Sequence, residues 1–310
     1  MFTPHFTLAT LKTREGHVAA MRIGDVYWPI AACARSKRIA GLDADLHALF
    51  AVWPKTLPLL KKLASAIESG GVKAALSVPA RRARLDTPLR YPHKIFCVGA
   101  NYADHLAEMN ASSIKKVPGV APFFFMKPSP SVLSGPGDKL EIPRGCENLD
   151  WEAEVVVVFG RGGKNIKPEN ALKHIAGYTL GIDFTARDLF MAPESFFKFN
   201  FILGKCQDGL SPVGPEVVPA SFVNGEDYHF SLSVNGAVKQ SSSTKHMIYS
   251  LAEQIAGVSA AVTIEAGDLM FTGSPAGVGL PRGERLHPGD KVVIEGEAIG
   301  AMQVEMRAAK

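Results

Sequence analysis

Two carboxylates, Glu152 and Glu154, open a strongly apolar segment in which four valines and a phenylalanine follow them. This composition is typical of a strand that is buried on both faces. Because side chains alternate along a strand, Glu152 and Glu154 point to the same side, one pleat apart. Two like charges on one buried face repel each other and are costly to remove from water, so the pattern favours a bound cation.

A third carboxylate, Asp183, ends another apolar segment, residues 175–182. Three carboxylate oxygens at strand ends suit a hard divalent ion such as Mg²⁺ or Mn²⁺. The alternative is that Glu152 and Glu154 lie on a solvent-facing edge and that Asp183 caps a turn. Spacing alone leaves both interpretations open.

A second candidate for chemistry is the pair His105 and Glu108, in a segment that favours a helix with Asn101 as its N-cap. On a helix, side chains three residues apart share one face. A carboxylate beside an imidazole fixes its tautomer and raises its basicity, and a general base that takes a proton from water needs both. The alternative is an ordinary exposed His–Glu pair.

Two lysines and one serine are further candidates for binding a ligand. Lys127 follows three phenylalanines and a methionine, and Lys205 stands in the stretch 203–209. A lysine in apolar surroundings needs a partner, so each binds either an anionic substrate group or a neighbouring acid. Ser274 offers a hydroxyl in the Gly-rich turn 272–279, which lacks a nucleotide-binding pattern and is otherwise a plain structural turn.

The segments that must position these residues show many strand patterns and few helical patterns, which predicts a mixed α+β protein that is mostly β. Residues 1–90 are predicted to form a small N-terminal α+β domain, and residues 91–310 a larger domain in which short strands alternate with Gly/Pro turns. The strands predicted in the larger domain are 94–98, 123–127, 152–159, 177–182, 213–218, 228–234, 269–272 and 291–294. The helices predicted there lie around 102–110, 168–174 and 250–256.

The composition disfavours several other classes of protein. The net charge is +4, from 34 basic and 30 acidic residues, and basic residues cluster only locally, so nucleic acid is not an expected partner. The four cysteines are scattered without a C-x-x-C pair, which fits a reducing compartment. No apolar run approaches the length of a membrane span, and residues 1–16 lack a cleavage signal. We therefore expect a cytoplasmic protein without membrane contact.

Taken together, these segments resemble the fumarylacetoacetate hydrolase (FAH) superfamily, whose catalytic domain typically opens with an Asn-Tyr-x-x-His-x-x-Glu pattern. The resemblance covers about residues 94–305. Each motif is weak alone, but their order and spacing together are highly specific. The motifs stand here as NYADHLAE at 101–108, FMKP at 125–128, WEAE at 151–154, GIDFTARD at 181–188, GK at 204–205, PVGP at 212–215 and TGSPAGVG at 272–279.

The resemblance implies an FAH-like catalytic domain of coiled, mixed β-sheets (a β-roll) behind a variable N-terminal domain, usually as a homodimer. It implies Glu152, Glu154 and Asp183 as ligands of Mg²⁺, or of Mn²⁺ or Ca²⁺. It also implies His105 and Glu108 as the pair that activates a water molecule.

The same resemblance implies a catalytic role for Lys205. It implies that the residues that contact the substrate are Lys127, Tyr102, Arg187 and Ser274. Ser274 stands where the family usually has a threonine, and it keeps the hydroxyl.

Two positions depart from the family pattern. Ile182 stands where the family usually has asparagine, and Phe190 stands where it usually has a glutamine that can hydrogen-bond a reacting oxygen. Phe190 has neither a donor nor an acceptor, so the family's common substrate and its hydrolytic step do not follow directly for this chain. The Phe-rich stretch 190–201 either shapes an apolar pocket or belongs to the core.

The function that the resemblance implies is metal-dependent hydrolysis of a C–C bond in an acylpyruvate-like diketo acid. In it, a metal-stabilised enolate forms and the His105–Glu108 pair activates water. The same enolate serves an alternative, an isomerase or decarboxylase of unsaturated 2-oxo diacids (2-hydroxyhepta-2,4-diene-1,7-dioate isomerase or oxaloacetate decarboxylase type). A second alternative is a non-catalytic, ligand-binding member of the family.

Overall fold

A computed structural model of the chain describes residues 6–111, 115–117 and 119–309. The strands are β1 Thr7–Thr13, β2 Gly16–Ile23, β3 Val26–Pro29, β4 Val78–Pro79, β5 Leu85–Asp86, β6 Ile95–Gly99, β7 Phe123–Lys127, β8 Leu133–Ser134, β9 Lys139–Glu141, β10 Leu149–Asp150, β11 Ala153–Phe159, β12 Ile175–Ile182, β13 Thr185–Ala186, β14 Ser211–Pro219, β15 His229–Val234, β16 Ala237–Ser243, β17 Leu269–Phe271, β18 Lys291–Gly296 and β19 Gly300–Arg307. The helices are α1 Ile30–Ser36, α2 Leu46–Ala51, α3 Trp53–Glu68, α4 Ala103–Glu108, α5 Pro168–Ala171, α6 Arg187–Phe190, α7 Phe201–Lys205 and α8 Leu251–Ala261.

Strands dominate the structure and most helices are short, so the predicted mixed α+β, mostly β class is confirmed. The large sheet has the strand order β4-β3-β2-β1-β14-β12-β11-β17-β6-β7, with β5 beside β1 and β8 beside β14. The small sheet has the order β16-β15-β18-β19-β9. Both are mixed, because β6–β17, β8–β14 and β9–β19 pair in parallel while the other neighbours are antiparallel. Neither sheet closes on itself.

The centre of the large sheet is the part that positions the candidate residues. Every residue of β11, β12 and β14 is buried. Such strands carry continuous apolar runs because both faces are covered, and β11 and β12 show these runs in the sequence. Polar side chains at the ends of these strands are consequently held at the edge of a rigid, dry core.

The N-terminal strands extend the same sheet. β1 pairs antiparallel with β14 through Leu8 and Val217, and the apolar core is continuous between the N-terminal helices and the central strands. Helix α3 begins at Trp53 with Pro54 in its first turn, where proline is tolerated, and Pro58 lies inside it. The division into domains at 1–90 and 91–310 stays a prediction.

A buried carboxylate ties the N-terminal strands to the centre of the sheet. Glu216 on β14 is 1% exposed and accepts hydrogen bonds from the hydroxyls of Thr7 and Tyr27 and, at 3.0 Å, from Nη1 of Arg22. Burial raises the pKa of the Tyr27 phenol, and the nearby Glu216 charge raises it further. The carboxylate thus satisfies three donors on β1, β2 and β3 at once.

Among the described residues, no helix is long and apolar enough to cross a membrane. This agrees with the absence of a long apolar run in the sequence.

We predict that Glu216→Ala lowers the free energy of unfolding by about 3 kcal/mol, because it leaves two buried hydroxyls and a half-buried guanidinium without their acceptor. Urea unfolding followed by circular dichroism measures the change. Glu305→Ala, on the partly exposed strand β19, is the control and should hardly move the midpoint. Equal midpoints for the two variants would contradict a role for Glu216 in holding the N-terminal strands.

Candidate active site

The pairing of β11 with β12 brings the three predicted carboxylates together. Ala153 lies opposite Ile182, so the flanking Glu152 and Asp183 are neighbours, and the Asp183 N–H donates to the Glu152 carbonyl oxygen at 2.8 Å. One carboxylate oxygen from each of Glu152, Glu154 and Asp183 lies within 4.8 Å of the others. The three residues are 7%, 2% and 1% exposed, so the alternative of a solvent-facing edge is wrong.

Two buried lysines reach into this carboxylate cluster. The Lys205 ammonium donates to Oε2 of Glu152 at 2.7 Å and to Oδ2 of Asp183 at 2.8 Å. The Lys127 ammonium donates to Oδ1 of Asp183 and, at 2.7 Å, to the Ser211 hydroxyl. The expectation that each lysine in these apolar segments needs a partner is therefore met by the carboxylates themselves.

Arg187, at the start of α6, is the third cation paired with the cluster. Its Nη2 donates to Oε1 of Glu152 at 2.7 Å, and its Nε donates to Oδ2 of Asp150 at 2.9 Å. Asp150 also accepts from the backbone N–H groups of Gly279 at 2.6 Å and Leu280 at 3.1 Å. Arg187 therefore links the carboxylate cluster to the Gly-rich turn through a second buried acid.

The neighbours of each buried charge decide its ionisation. Burial raises the pKa of Glu152, but attraction to Lys205 and Arg187 outweighs it and lowers this pKa. Burial raises the pKa of Glu154 too, and repulsion from Asp183 and Glu152 raises it further, well above the ordinary value. Burial lowers the pKa of Lys205, but the two carboxylates it binds raise it overall. Glu154 is thus the carboxylate whose charge the protein leaves without compensation.

The donor set fits a divalent cation. Three buried carboxylates provide hard oxygen donors of the kind that Mg²⁺, Mn²⁺ and Ca²⁺ bind. Glu154 accepts a hydrogen bond from the Gly273 N–H at 2.6 Å, and within the described ranges no lysine or arginine forms an ion pair with it. A cation held by the cluster would supply the missing compensation. The identity of the metal stays a prediction.

The predicted pair of imidazole and carboxylate is present on α4. Nδ1 of His105 lies 2.8 Å from Oε1 of Glu108, and Oε2 of Glu108 accepts from the Gly277 N–H at 2.9 Å. Burial raises the pKa of Glu108, but the hydrogen bonds from His105 and Gly277 outweigh it and lower this pKa. The side chains of His105 and Glu108 are only 13% and 15% exposed, so the alternative of an ordinary exposed pair is wrong.

The predicted N-cap role of Asn101 is wrong. Helix α4 has Tyr102 as its N-cap residue, and no side chain caps it. Asn101 is fully buried, and its amide instead donates to the Thr272 carbonyl at 2.8 Å while its oxygen accepts from the Tyr249 N–H at 2.9 Å. These two backbone groups are at least 148 residues away from Asn101 along the chain, so the local sequence could not reveal them. Asn101 thus fixes the start of α4 against the Gly-rich turn.

The candidate groups open on one small cavity of about 210 Å³. Its polar lining includes His105, Glu154, Asp183, Lys205 and Ser274, together with Glu152. Its apolar lining includes four phenylalanines, which are Phe123, Phe125, Phe190 and Phe201. We call these two sets the charged end and the aromatic end of the cavity, and they adjoin, because Nζ of Lys205 lies 5.9 Å from the Phe125 ring centroid.

Three residues predicted to contact substrate do not border this cavity. Lys127 and Arg187 hold the carboxylates, and Tyr102 is buried with a hydroxyl that has no hydrogen-bond partner among the described residues. Their role as substrate contacts stays a prediction. In the Phe-rich stretch, Phe196 and Phe197 are 90% and 71% exposed, so the idea that the whole stretch is core is wrong.

Sequence reasoning missed Gln240, on β16 of the small sheet. Its amide nitrogen donates to the Ser274 hydroxyl at 2.9 Å and to the Pro275 carbonyl at 2.8 Å, and its oxygen accepts from the Ala153 N–H at 2.9 Å. It therefore joins the small sheet to both the Gly-rich turn and β11. Its neighbours are lysine and serines, an ordinary edge-strand composition, so nothing in the local sequence marks it.

Comparison with known proteins shows what the chain is similar to. The family model described as fumarylacetoacetate (FAA) hydrolase C-terminal matches residues 94–307. The chain is 34% identical over 271 residues to the mitochondrial oxaloacetate tautomerase Fahd2a of Rattus norvegicus, covering 85% of this chain and 83% of that protein.

Solved structures share the fold over almost the whole chain. A fumarylacetoacetate hydrolase from psychrophilic Exiguobacterium antarcticum superimposes with a TM-score of 0.77 at 28% identity, covering 98% of this chain and 100% of the other. A maleylpyruvate hydrolase from Sphingobium sp. SYK-6, solved with manganese(II) and pyruvate, gives a TM-score of 0.75 at 24% identity, with coverage of 98% and 100%. At 24% identity the second likeness concerns the fold alone.

We predict that Glu154→Gln abolishes Mg²⁺ binding without destabilising the metal-free protein. The amide keeps an oxygen for the Gly273 N–H but cannot carry the charge that Asp183 and Glu152 repel. Isothermal titration calorimetry measures binding. Thermal unfolding should show that Mg²⁺ at one hundred times its Kd stabilises the wild type by about 2.7 kcal/mol and the variant not at all. Glu305→Gln is the control, and unchanged Mg²⁺ affinity in Glu154→Gln would remove Glu154 from the ligand set.

Proposed function

The chain belongs to the fumarylacetoacetate hydrolase family, and on that premise we propose that it is an enzyme that hydrolyses a C–C bond of an acylpyruvate-like diketo acid. The observation that carries the proposal is the position of His105. Its ring, held by Glu108, borders the same small cavity as Glu152, Glu154, Asp183 and Lys205. A base and a carboxylate cluster that face one cavity suit attack by water on a substrate held between them.

The residues divide the chemistry between them. Because Nδ1 of His105 faces the ionised Glu108, Nε2 is the nitrogen left to accept a proton from water. The hydroxide formed adds to the distal carbonyl carbon of R–CO–CH₂–CO–COO⁻. The bond from that carbon to CH₂ then breaks, and its electron pair stays with the pyruvate fragment. The proton held by His105 returns to the CH₂ carbon and completes pyruvate. The other product, R–COOH, loses its acid proton and leaves as R–COO⁻.

The charged end of the cavity would receive the pyruvate half of the substrate. A divalent cation bound by Glu152, Glu154 and Asp183 would polarise the 2-oxo acid oxygens there. Lys205 keeps its positive charge because its two carboxylate partners raise its pKa, and it borders the cavity. The ammonium is therefore placed to balance negative charge that develops on the pyruvate half.

A second candidate is a tautomerase or isomerase of a 2-oxo acid, or the related decarboxylase. The relative from Rattus norvegicus carries the name oxaloacetate tautomerase, and the same imidazole could move a proton between carbon and oxygen without attack by water. The third candidate is a non-catalytic binding protein. The complete set of His105, Glu108 and three carboxylates around one cavity supports catalysis instead.

Two further expectations belong to the proposal. The homodimer implied by the resemblance and the cytoplasmic location implied by the composition stay predictions. The name of the rat relative includes a mitochondrial location. Fractionation of the source cells is therefore the direct test of the predicted cytoplasmic location.

Analysis of the products separates the candidates. With acetylpyruvate and Mg²⁺ in water enriched in ¹⁸O, a hydrolase releases pyruvate and acetate, and the acetate carries the label. A tautomerase changes only the enol absorbance and releases neither acid. Label-free products, or no acid at all, would contradict hydrolysis.

We predict that His105→Ala lowers kcat for pyruvate release by about 10²–10⁴-fold while Mg²⁺ affinity stays the same, since the imidazole acts on water and lies outside the ligand set. Glu108→Gln should lower kcat less, because the amide oxygen can still face His105. A coupled lactate dehydrogenase assay measures kcat, and calorimetry measures Mg²⁺ affinity. His229→Ala, an exposed histidine, is the control. Full activity in His105→Ala would end its assignment as the base.

A further inference from the structure

The aromatic end of the cavity is a packed unit, here called the Phe wall, formed by Phe123, Phe125, Phe190 and Phe201. Phe201 lies at its centre, with ring centroids 5.0 Å from Phe190, 5.1 Å from Phe125 and 5.7 Å from Phe123. The rings of Phe190 and Phe201 meet edge to face, at 88°. These separations are typical of favourable aromatic pairs, so the rings support one another in fixed positions.

The backbone is shaped to admit this wall. A Cβ placed on Gly204 would lie 2.4 Å from Cβ and 2.5 Å from Cδ2 of Phe190, closer than any real contact. Phe190 therefore lies directly against the backbone of α7, where any larger residue at position 204 would displace it. The neighbouring residue on α7 is Lys205, so the position of the aromatic ring is coupled to that of the ammonium at the charged end.

The Phe wall offers nothing to a negatively charged group. Among the described lining residues the one lysine or arginine is Lys205, whose ammonium lies 5.9 Å from the Phe125 ring centroid and is already bound to Glu152 and Asp183. A carboxylate laid against the Phe wall would lose its water without gaining a partner. An alkyl or phenyl group there would instead exchange water for ring surfaces.

We propose that the substrate carries an apolar group at the end distant from its 2-oxo acid, and that Phe190 is a residue that determines this specificity. The inference rests on the proposed function, because the 2-oxo acid must bind at the carboxylate cluster for the distal group of the substrate to meet the Phe wall. It separates this chain from enzymes of diacids: a distal carboxylate is excluded by desolvation, whereas an alkyl or aryl acyl group fits.

The binding test uses two 2-oxo acids of nearly equal size that this chemistry cannot cleave. 2-Oxohexanoate ends in a methyl group and 2-oxoadipate ends in a carboxylate. In calorimetry with the Mg²⁺-loaded protein, the Kd of 2-oxohexanoate should be lower than that of 2-oxoadipate by about tenfold or more. This is the range in which protein pockets discriminate between apolar groups. Tighter binding of 2-oxoadipate, equal binding, or binding of neither would overturn the inference.

The kinetic test uses the corresponding diketo acids, 2,4-dioxooctanoate and 2,4-dioxooctanedioate, and follows pyruvate release. The wild type should prefer the first in kcat/KM by about tenfold or more. Because the binding test does not need cleavage, the two proposals fail separately. If 2-oxohexanoate binds more tightly but no pyruvate is released, only the proposed hydrolysis is contradicted. If pyruvate is released and the diacid is the preferred substrate, only the apolar distal group is contradicted.

Substitution at position 190 should reverse the preference. Phe190→Arg places a cation at the aromatic end and should shift both ratios toward the diacid by about tenfold or more. Phe190→Gln, which is smaller and uncharged, should reduce the preference without reversing it and serves as the check that the wall tolerates change. Phe196→Arg is the matched control, because Phe196 lies in the same stretch but is 90% exposed and does not border the cavity. An equal shift in the Phe196 variant, or unchanged ratios in Phe190→Arg, would overturn the role of Phe190.

Discussion

Buried carboxylates of like charge can stay close together only where cations compensate them, and this constraint organises the site. The pairing of β11 with β12 forces Glu152 and Asp183 together, and Glu154 lies one pleat away. Lys127, Lys205 and Arg187 form ion pairs with these carboxylates. With Asp150, which also pairs with Arg187, there are four carboxylates and three cations, so one negative charge is left over. Among the described residues Glu154 is the carboxylate of the cluster that no lysine or arginine pairs with, so a divalent cation has a physical reason to bind there.

A single segment, residues 187–205, supplies both ends of the cavity. It begins with Arg187 on the carboxylates and ends with Lys205 on the same group, and the N–H of Asn200 donates to the Phe190 carbonyl at 2.7 Å to hold the two halves together. Phe190 and Phe201 lie between these charged ends. Since the ion pairs are buried and specific in geometry, they anchor the segment and help to position Phe190 and Phe201, its two members of the Phe wall. Electrostatics at one end of the cavity therefore determines packing at the other.

The sequence predicted the local features of the fold better than the contacts between distant segments. Strand β7 was predicted at its observed bounds, and β11 and β12 within one or two residues, because continuous apolar runs mark buried strands. β16 was missed because polar residues break its alternation at the edge of the small sheet. β19 was also missed, although buried Met302, Val304 and Met306 alternate there with exposed or partly exposed residues. The three carboxylates were predicted as one cluster because Glu152 and Glu154 begin one apolar run and Asp183 ends another. The partners of Asn101 and the role of Gln240 depend on residues that only the tertiary fold brings near.

The Gly-rich turn is the element that joins the base to the carboxylate cluster. The Gly273 N–H binds Glu154, and four residues later the Gly277 N–H binds Glu108, the partner of His105. Gly277 has φ +113°, and a Cβ there would lie 2.1 Å from the Lys239 carbonyl oxygen, so only glycine lets the turn approach β16 this closely. A displacement of this turn would move a candidate metal ligand and the orienting carboxylate of the base together. The turn thus helps to set the distance between Glu154, a candidate metal ligand, and Glu108, the partner of the proposed base His105.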